Sequence, residues 1–327
     1  ELSVYPYIPD FTKSACDDAV CESHEKGIYE TTDEEGTSYY YRGSVGNNYL
    51  EFAGYYWRVV RINGDGTIRI IYDGTEAHTN AERSPDEVFK SVSFSSKSGD
   101  NMYVGYMYTE GEAHGLTESS VIKQANDEFY ENHLTSYSKY IDTNAGFCGD
   151  RSTLNLQDGV GTGKTITYNQ AYYRVLKSNP SLLCENELDL YTFVSSNKGN
   201  KALEYPVGLI SIDEVLLAGH SGGVFDGNHN EVWSASSAYL TTTSGFWTMT
   251  PVGSYITWGS KSFFSYIFSV HSSGWVNDAS SDGVFGMKPV INLRADLEFV
   301  GSGTISDPYK IKENNWSKIF RFSYILL

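Results

Sequence analysis

Three features of this chain carry residue types that chemistry could use. Gly219-His220-Ser221-Gly222-Gly223 matches the G-x-S-x-G pattern of a nucleophile elbow. That elbow needs a strand before the serine and a helix after it, so that a strained turn holds the hydroxyl out. Here the order is reversed. A helical pattern precedes Ser221, and a Gly- and Asn-rich stretch from Val224 to Asn230 follows it. The order supports a glycine-rich helix stop, with a hydrolase using Ser221 as the lesser alternative. Asp158-Gly159-Val160-Gly161-Thr162-Gly163-Lys164-Thr165 has the outline of a phosphate-binding loop, but Asp158 stands where its first glycine belongs. A carboxylate there repels the phosphates that backbone amides must cradle. The histidines (His24, His78, His114, His133, His220, His229 and His271) are scattered and form no H-E-x-x-H. No catalytic residue and no metal site is expected.

The segment from Trp233 to Phe285 offers a different chemistry. Its only charged residues are Lys261, Asp278 and Asp282, and it holds Trp233, Trp247, Trp258 and Trp275. Ser, Thr, Gly and Tyr fill most of the rest. Flat amphipathic rings give contact area at small entropy cost, and small polar residues adapt their hydrogen bonds, which is the chemistry of recognition loops. Trp247 and Phe268 lie inside patterned runs and are expected in the core. Tyr255, Trp258, Phe263, Trp275 and the 277–282 loop interrupt those patterns and are expected to face solvent.

Cys16, Cys21, Cys148 and Cys184 allow three disulfide connectivities. Nearest-neighbour pairing, Cys16–Cys21 with Cys148–Cys184, is favoured, and the longer loop would add up to roughly 4 kcal/mol on the chain-entropy model. A Cys₄ zinc site and four free buried thiols remain as alternatives. Disulfides imply an oxidising compartment. Composition agrees: among 327 residues 26 are Tyr, 15% are aromatic and only 20% are charged, a β-rich secreted or surface profile. The 41 acids against 24 bases give a net charge of −17, which argues against nucleic acid as a partner. No apolar run is long enough to span a bilayer. The chain starts at Glu1 rather than Met, which reads as a mature or trimmed form lacking its export signal.

The positioning elements follow from local patterns. Residues 1–36 are acidic and aperiodic and read as an N-terminal arm. Two apolar runs around Asn63-Gly64-Asp65-Gly66 predict a hairpin. Arg58, Arg61 and Arg69 on those strands read as solvated sheet charges. Helices are expected over 117–134 with Thr117 as cap, over 167–178, and from a capping box of Ser211 and Glu214 to Gly219. Phe264, Tyr266, Phe268 and Val270 alternate as a strand does, and 289–293 reads as another. No long linker divides 37–312, which is taken as one domain. Residues 313–327 form a basic aromatic tail.

Two of these stretches resemble known groups. SYYYRGSVGNNYLEFAGYYWRVVRINGDGTIRIIYDGT, with YPVGLISIDEV, resembles secreted or surface proteins of Gram-positive gut bacteria whose function is mostly unassigned. FWTMTPVGSYITWGSKSFFSYIFSVHSSGWVNDASSDGVFGMKPVINL resembles the C-terminal half of formylglycine-generating-enzyme-like domains and of the variable proteins of diversity-generating retroelements. Lys288 replaces the Arg of their Gly-x-Arg-Pro-Val motif. The resemblance covers about residues 36–312. It implies an α+β, C-type-lectin-like fold: a twisted antiparallel sheet, two or three helices and long irregular loops. It also implies ligand contacts at Tyr255, Trp258, Phe263, His271, Trp275, Asn277, Asp278 and Ser281. The enzyme branches of the group need C-terminal copper-binding cysteines or a three-His iron site. No Cys follows Cys184, and no three His cluster in the sequence, so an enzyme is not expected. Trp275-Val276-Asn277-Asp278 is similar to the Trp-Asn-Asp calcium segment of C-type lectins with one residue inserted; no cofactor is expected, and calcium alone stays open.

Together these readings predict a secreted or cell-surface binding or adhesion protein. Its aromatic C-terminal loops would recognise a glycan or protein on host or neighbouring cells. The alternative is a pilin-like structural subunit of a surface fibre, in which the acidic arm and basic tail dock between copies by self-association.

Overall fold

The computed structural model describes residues 4–13, 15, 26–153, 162–221, 224–225, 231–232, 236–256 and 261–312. Cys16, Cys21, His24, His229, Trp233, Trp258, residues 158–161 of the glycine-rich stretch and the 313–327 tail lie outside these residues.

The Tyr- and Val-rich first third folds as five strands: β1 (Gly27–Asp33), β2 (Gly36–Arg42), β3 (Tyr49–Phe52), β4 (Tyr55–Ile62) and β5 (Ile68–Gly74). Aromatic and β-branched side chains pack well on pleated surfaces, and short glycine-containing turns reverse the chain between them. The predicted hairpin is β4 with β5; Asn63 N–H donates to the Thr67 carbonyl at 2.8 Å to close its loop. β1 lies inside the segment read as an arm. Asp33 pairs with Gly36 across a two-residue turn, and Val4 bridges in parallel to Ile28. An eight-stranded sheet runs β1-β2-β4-β3, then Tyr309–Ile311 and Phe299–Val300; β5 joins β4 to Val290–Leu293, the strand expected at 289–293.

A six-stranded sheet has the order Val276–Ser280, Phe263–Val270, Phe246–Ile256, Val284–Met287 and β6 (Lys90–Ser93), with Thr167–Tyr168 paired to Phe246–Ile256. The alternating run 264–270 is a strand as its spacing requires. Residues 277–280, part of the stretch 277–282 read as a loop, belong instead to the strand Val276–Ser280, paired through five positions with 266–270. Backbone hydrogen bonding across that hairpin overrides the turn-like composition of Asn277, Asp278 and Ser280.

Among the described residues three α-helices complete a mixed α+β architecture that is mostly sheet: α1 (Val121–His133), α2 (Gln170–Leu176) and α3 (Ile212–Leu217). Ser120, not Thr117, caps α1 by accepting from the Lys123 amide at 3.2 Å. α2 starts three residues later than its periodicity suggests, because Thr167 and Tyr168 are taken by the sheet. α3 has the capping box its sequence spells, with both Ser211 and Glu214 side chains engaged. One contiguous core draws on both sheets and the helices; Trp57, Ile71, Phe129, Val215, Trp247 and Ile291 are each no more than 1% exposed. Each such side chain contributes about 1.5–3 kcal/mol by leaving water. Cys148 and Cys184 are joined by a disulfide with Cα atoms 5.7 Å apart. No helix among the described residues is long and apolar enough to cross a membrane.

Candidate functional site

The predicted binding residues that the structure describes, all but Trp258, lie on or beside the six-stranded sheet. Tyr255 and Asp278 come together, with the Tyr255 hydroxyl donating to Asp278 Oδ2 at 2.5 Å. His271 and Trp275 sit in the turn between 263–270 and 276–280. Their rings stack at 4.3 Å and 11°, and the His271 amide donates to the Trp275 carbonyl. Phe263, Asn277 and Ser281 do not join Tyr255. Asn277 pairs with Ser269, one residue out of phase with Asp278, so its side chain points to the opposite face. Phe263 alternates in the same way with Phe264, the partner of Tyr255. Ser281 was expected on the surface and is fully buried: its amide donates to Ser265 O, and its hydroxyl donates to Lys97 O at 2.9 Å. Trp247 and Phe268 are in the core, as their patterned positions required.

Around Tyr255 the sheet carries a row of rings. Tyr172 stacks on Tyr168 (4.9 Å), Tyr168 on Tyr255 (5.4 Å) and Tyr255 on Tyr266 (4.4 Å), with interplanar angles of 15° to 28°. Phe264 meets Tyr266 edge-on. These spacings follow from the sheet itself. Tyr168, Tyr255 and Tyr266 occupy adjacent strands, and strands lie about 4.8 Å apart. Gly253 makes the row possible. It pairs with both Tyr168 and Tyr266 and has φ +148; a Cβ there would lie 2.2 Å from the Thr167 carbonyl oxygen and push that strand away. All five rings are half-buried. Burial first, then the Asp278 charge, raises the Tyr255 phenol far above its ordinary range, so it stays a donor.

Sequence reasoning missed Tyr168, Tyr172 and Tyr266 as members of this face. No local pattern links residue 168 to residue 255; only the register of Thr167–Tyr168 on Ser254 and Gly253 does so.

A second cluster has the charges that a catalytic site could use. Arg58, Arg61 and Arg69, read as solvated, are 1%, 7% and 3% exposed. Arg61 binds Asp33 at 2.8 Å and Glu214 at 2.9 Å, and Arg69 binds Glu214 at 3.0 Å. Arg58 lies 3.8 Å over the Tyr49 ring and binds Asn48. The reason is pairing: β4 and β5 are covered on both faces, so their bases must find fixed acceptors inside. Although burial opposes it, the charge of Arg69 and Arg61 holds the Glu214 carboxyl down at about 2. The cavity beside this cluster measures about 30 Å³ and is lined by Arg61, Arg69, Arg174, Asp150, Asp213 and Glu214. That volume admits a water molecule and no substrate.

Ser221 lies beyond the end of α3, after Ala218, Gly219 and His220, and is 2% exposed, with its carbonyl accepting from the Val276 amide. The preceding His220 is also buried, and its Nδ1–H donates to Gly274 O at 2.6 Å. Burial lowers its imidazole to about 4. Among the described residues no three of His, Cys, Asp and Glu converge as a metal site requires. Neither a family model, nor a curated protein, nor a solved structure matches this chain.

Proposed function

We propose that this is a secreted or cell-surface binding protein of C-type-lectin-like build, acting by recognition rather than catalysis. Its ligand surface is the tyrosine row of the six-stranded sheet. The observation that carries the reading is the half-exposed stack Tyr172–Tyr168–Tyr255–Tyr266 ending on the exposed carboxylate of Asp278. Rings held by one another lose little freedom when a ligand arrives, and phenol edges beside a carboxylate suit a hydroxyl-rich glycan or the polar face of a protein. The disulfide is compatible with an extracellular setting. The kinship with surface proteins of gut bacteria belongs to this reading too. So does the view that the Ser221 segment is a helix stop, supported by the end of α3 at Leu217 and the burial of Ser221 just beyond it.

Glycan arrays and pull-downs from mucus test it. Tyr255→Ala and Tyr168→Ala should each weaken capture at least tenfold while the melting temperature moves by a few degrees. Undiminished capture by both variants would remove the tyrosine row from the binding surface.

A further inference from the structure

A separate groove lies beside β1 and extends onto β2 at Thr37 and Tyr40. It measures about 740 Å³, and it is lined by Tyr5, Tyr7, Ile8, Glu30, Thr32 and Leu183 among others. β1 ends the eight-stranded sheet. Its register decides which backbone groups face outward. Asp33 and Gly36 close a two-residue turn, so Asp33, Thr31 and Tyr29 direct their amides and carbonyls to β2. Ile28, Glu30 and Thr32 direct theirs away. Tyr5 N–H takes the Ile28 carbonyl at 2.9 Å, which confirms the phase. Beyond Tyr5 the chain leaves the edge: Tyr5 stacks on Tyr29 and Tyr7 meets Tyr29 edge-on, over one face of the sheet. Among the described residues nothing bonds to the backbone N–H and C=O of Glu30 and Thr32.

Natural sheets usually cover or blunt such an edge, and an open one is a template for a further strand. The surroundings state what kind. Tyr5, Tyr7, Ile8 and Leu183 are 42%, 50%, 87% and 49% exposed, an unusual concentration of apolar surface. Among the described residues lining the groove Glu30 alone is charged, on a chain of net charge −17. We propose that this edge receives an extended polypeptide segment of a partner, added as a strand beside Glu30 and Thr32. Alternate side chains of that segment are apolar, to lie against Tyr7, Ile8 and Leu183, and basic, to face Glu30. This interaction is separate from the tyrosine row and does not depend on it.

The test uses the full chain and a capped octapeptide of alternating Val and Lys as probe. Fluorescence anisotropy should show saturable binding, and hydrogen exchange at the Glu30 and Thr32 amides should slow in the complex. Thr32→Pro is the diagnostic variant. On an edge strand a proline is tolerated where the N–H faces outward, so the sheet should keep its melting temperature while probe affinity falls at least tenfold. Glu30→Lys should weaken the probe severalfold. If Thr32→Pro lowers the melting temperature, a probe N-methylated at alternate amides replaces it, and loss of its binding supports strand addition. Full affinity of a natively melting Thr32→Pro, or of the N-methylated probe, overturns the proposal. So does absence of binding. Concentration-dependent protection of the two amides without probe also overturns it, because a second copy then holds the edge.

Discussion

In the eight-stranded sheet, Arg58, Arg61 and Arg69 project from β4 and β5 into the interior and meet Asn48, Asp33 and Glu214 at hydrogen-bonding distance. In the six-stranded sheet, comparable positions on adjacent strands carry Tyr168, Tyr255 and Tyr266, which stack on one another and remain half-exposed. The contrast separates two uses of polar side chains in a sheet. A buried guanidinium needs every donor fixed, so its cluster is rigid and closed to visitors. A phenol ring satisfies itself by stacking and keeps an edge and a hydroxyl for a ligand.

The largest expected effect lies in the closed cluster. Glu214→Ala leaves Arg61 and Arg69 buried without their shared carboxylate and also opens the α3 capping box. Breaking a buried pair from one side costs about 3–5 kcal/mol. Urea unfolding should show that loss with an unchanged m-value. A loss below about 1 kcal/mol would mean that the cluster behaves like solvated surface pairs, and the contrast between the sheets would fail.

Next comes the covalent strap beside that cluster. Cys148 and Cys184 are 36 residues apart in sequence, and Cys148 lines the same cavity as Glu214. Cys148→Ser with Cys184→Ser should cost about 3 kcal/mol through the freed chain entropy. Ligand capture on the tyrosine row should stay intact at temperatures where the variant is folded. Loss of capture there would tie the two regions together.

Acid sharpens the contrast further. His220 has a folded value of about 4 against the ordinary 6.5, so the unfolded chain binds its proton first. Its contribution is complete above pH 6.5 and is lost as pH falls toward 4. The loss is about 2 kcal/mol between pH 7 and pH 5. Asp150 works in the other direction over part of that window: burial raises its carboxyl to about 6 against the pull of Arg174, so protonation there favours the folded chain. The His220 share is therefore read as the difference in pH dependence between the wild type and His220→Asn. Equal curves for the two would show that His220 is solvated.

Much of the frame could be read from short-range patterns. The β4–β5 hairpin followed from Asn63-Gly64-Asp65-Gly66, α3 from Ser211 and Glu214, and the 263–270 strand from its alternation. The burial of Arg61 could not be read. Its acceptor Glu214 is 153 residues away, and an arginine between apolar neighbours looks alike whether its strand is covered once or twice. The binding face was half legible. Composition marked Tyr255 and Asp278, but their partner Tyr168 arrives through strand register alone. The same composition misplaced Ser281 and turned residues 277–280 of the 276–280 strand into a loop, because Ser, Asn and Asp mark turns only where no neighbouring strand claims their backbone.

The smallest expected effect tests whether the tyrosine row acts through its edges. Tyr255→Phe keeps the ring between Tyr168 and Tyr266 and removes only the hydroxyl that holds Asp278. That bond is exposed, so stability should change by less than about 1 kcal/mol. Tyr255→Ala removes the stack as well and should cost about 1–2 kcal/mol more. If the ligand meets hydroxyl edges and the carboxylate, Tyr255→Phe should weaken capture almost as much as Tyr255→Ala. If it lies on ring faces, Tyr255→Phe should bind like the wild type and only the alanine should fail. Titrating both variants against the same immobilised ligand distinguishes the two modes, because the two differ in ring contact but share the loss of the phenol hydroxyl.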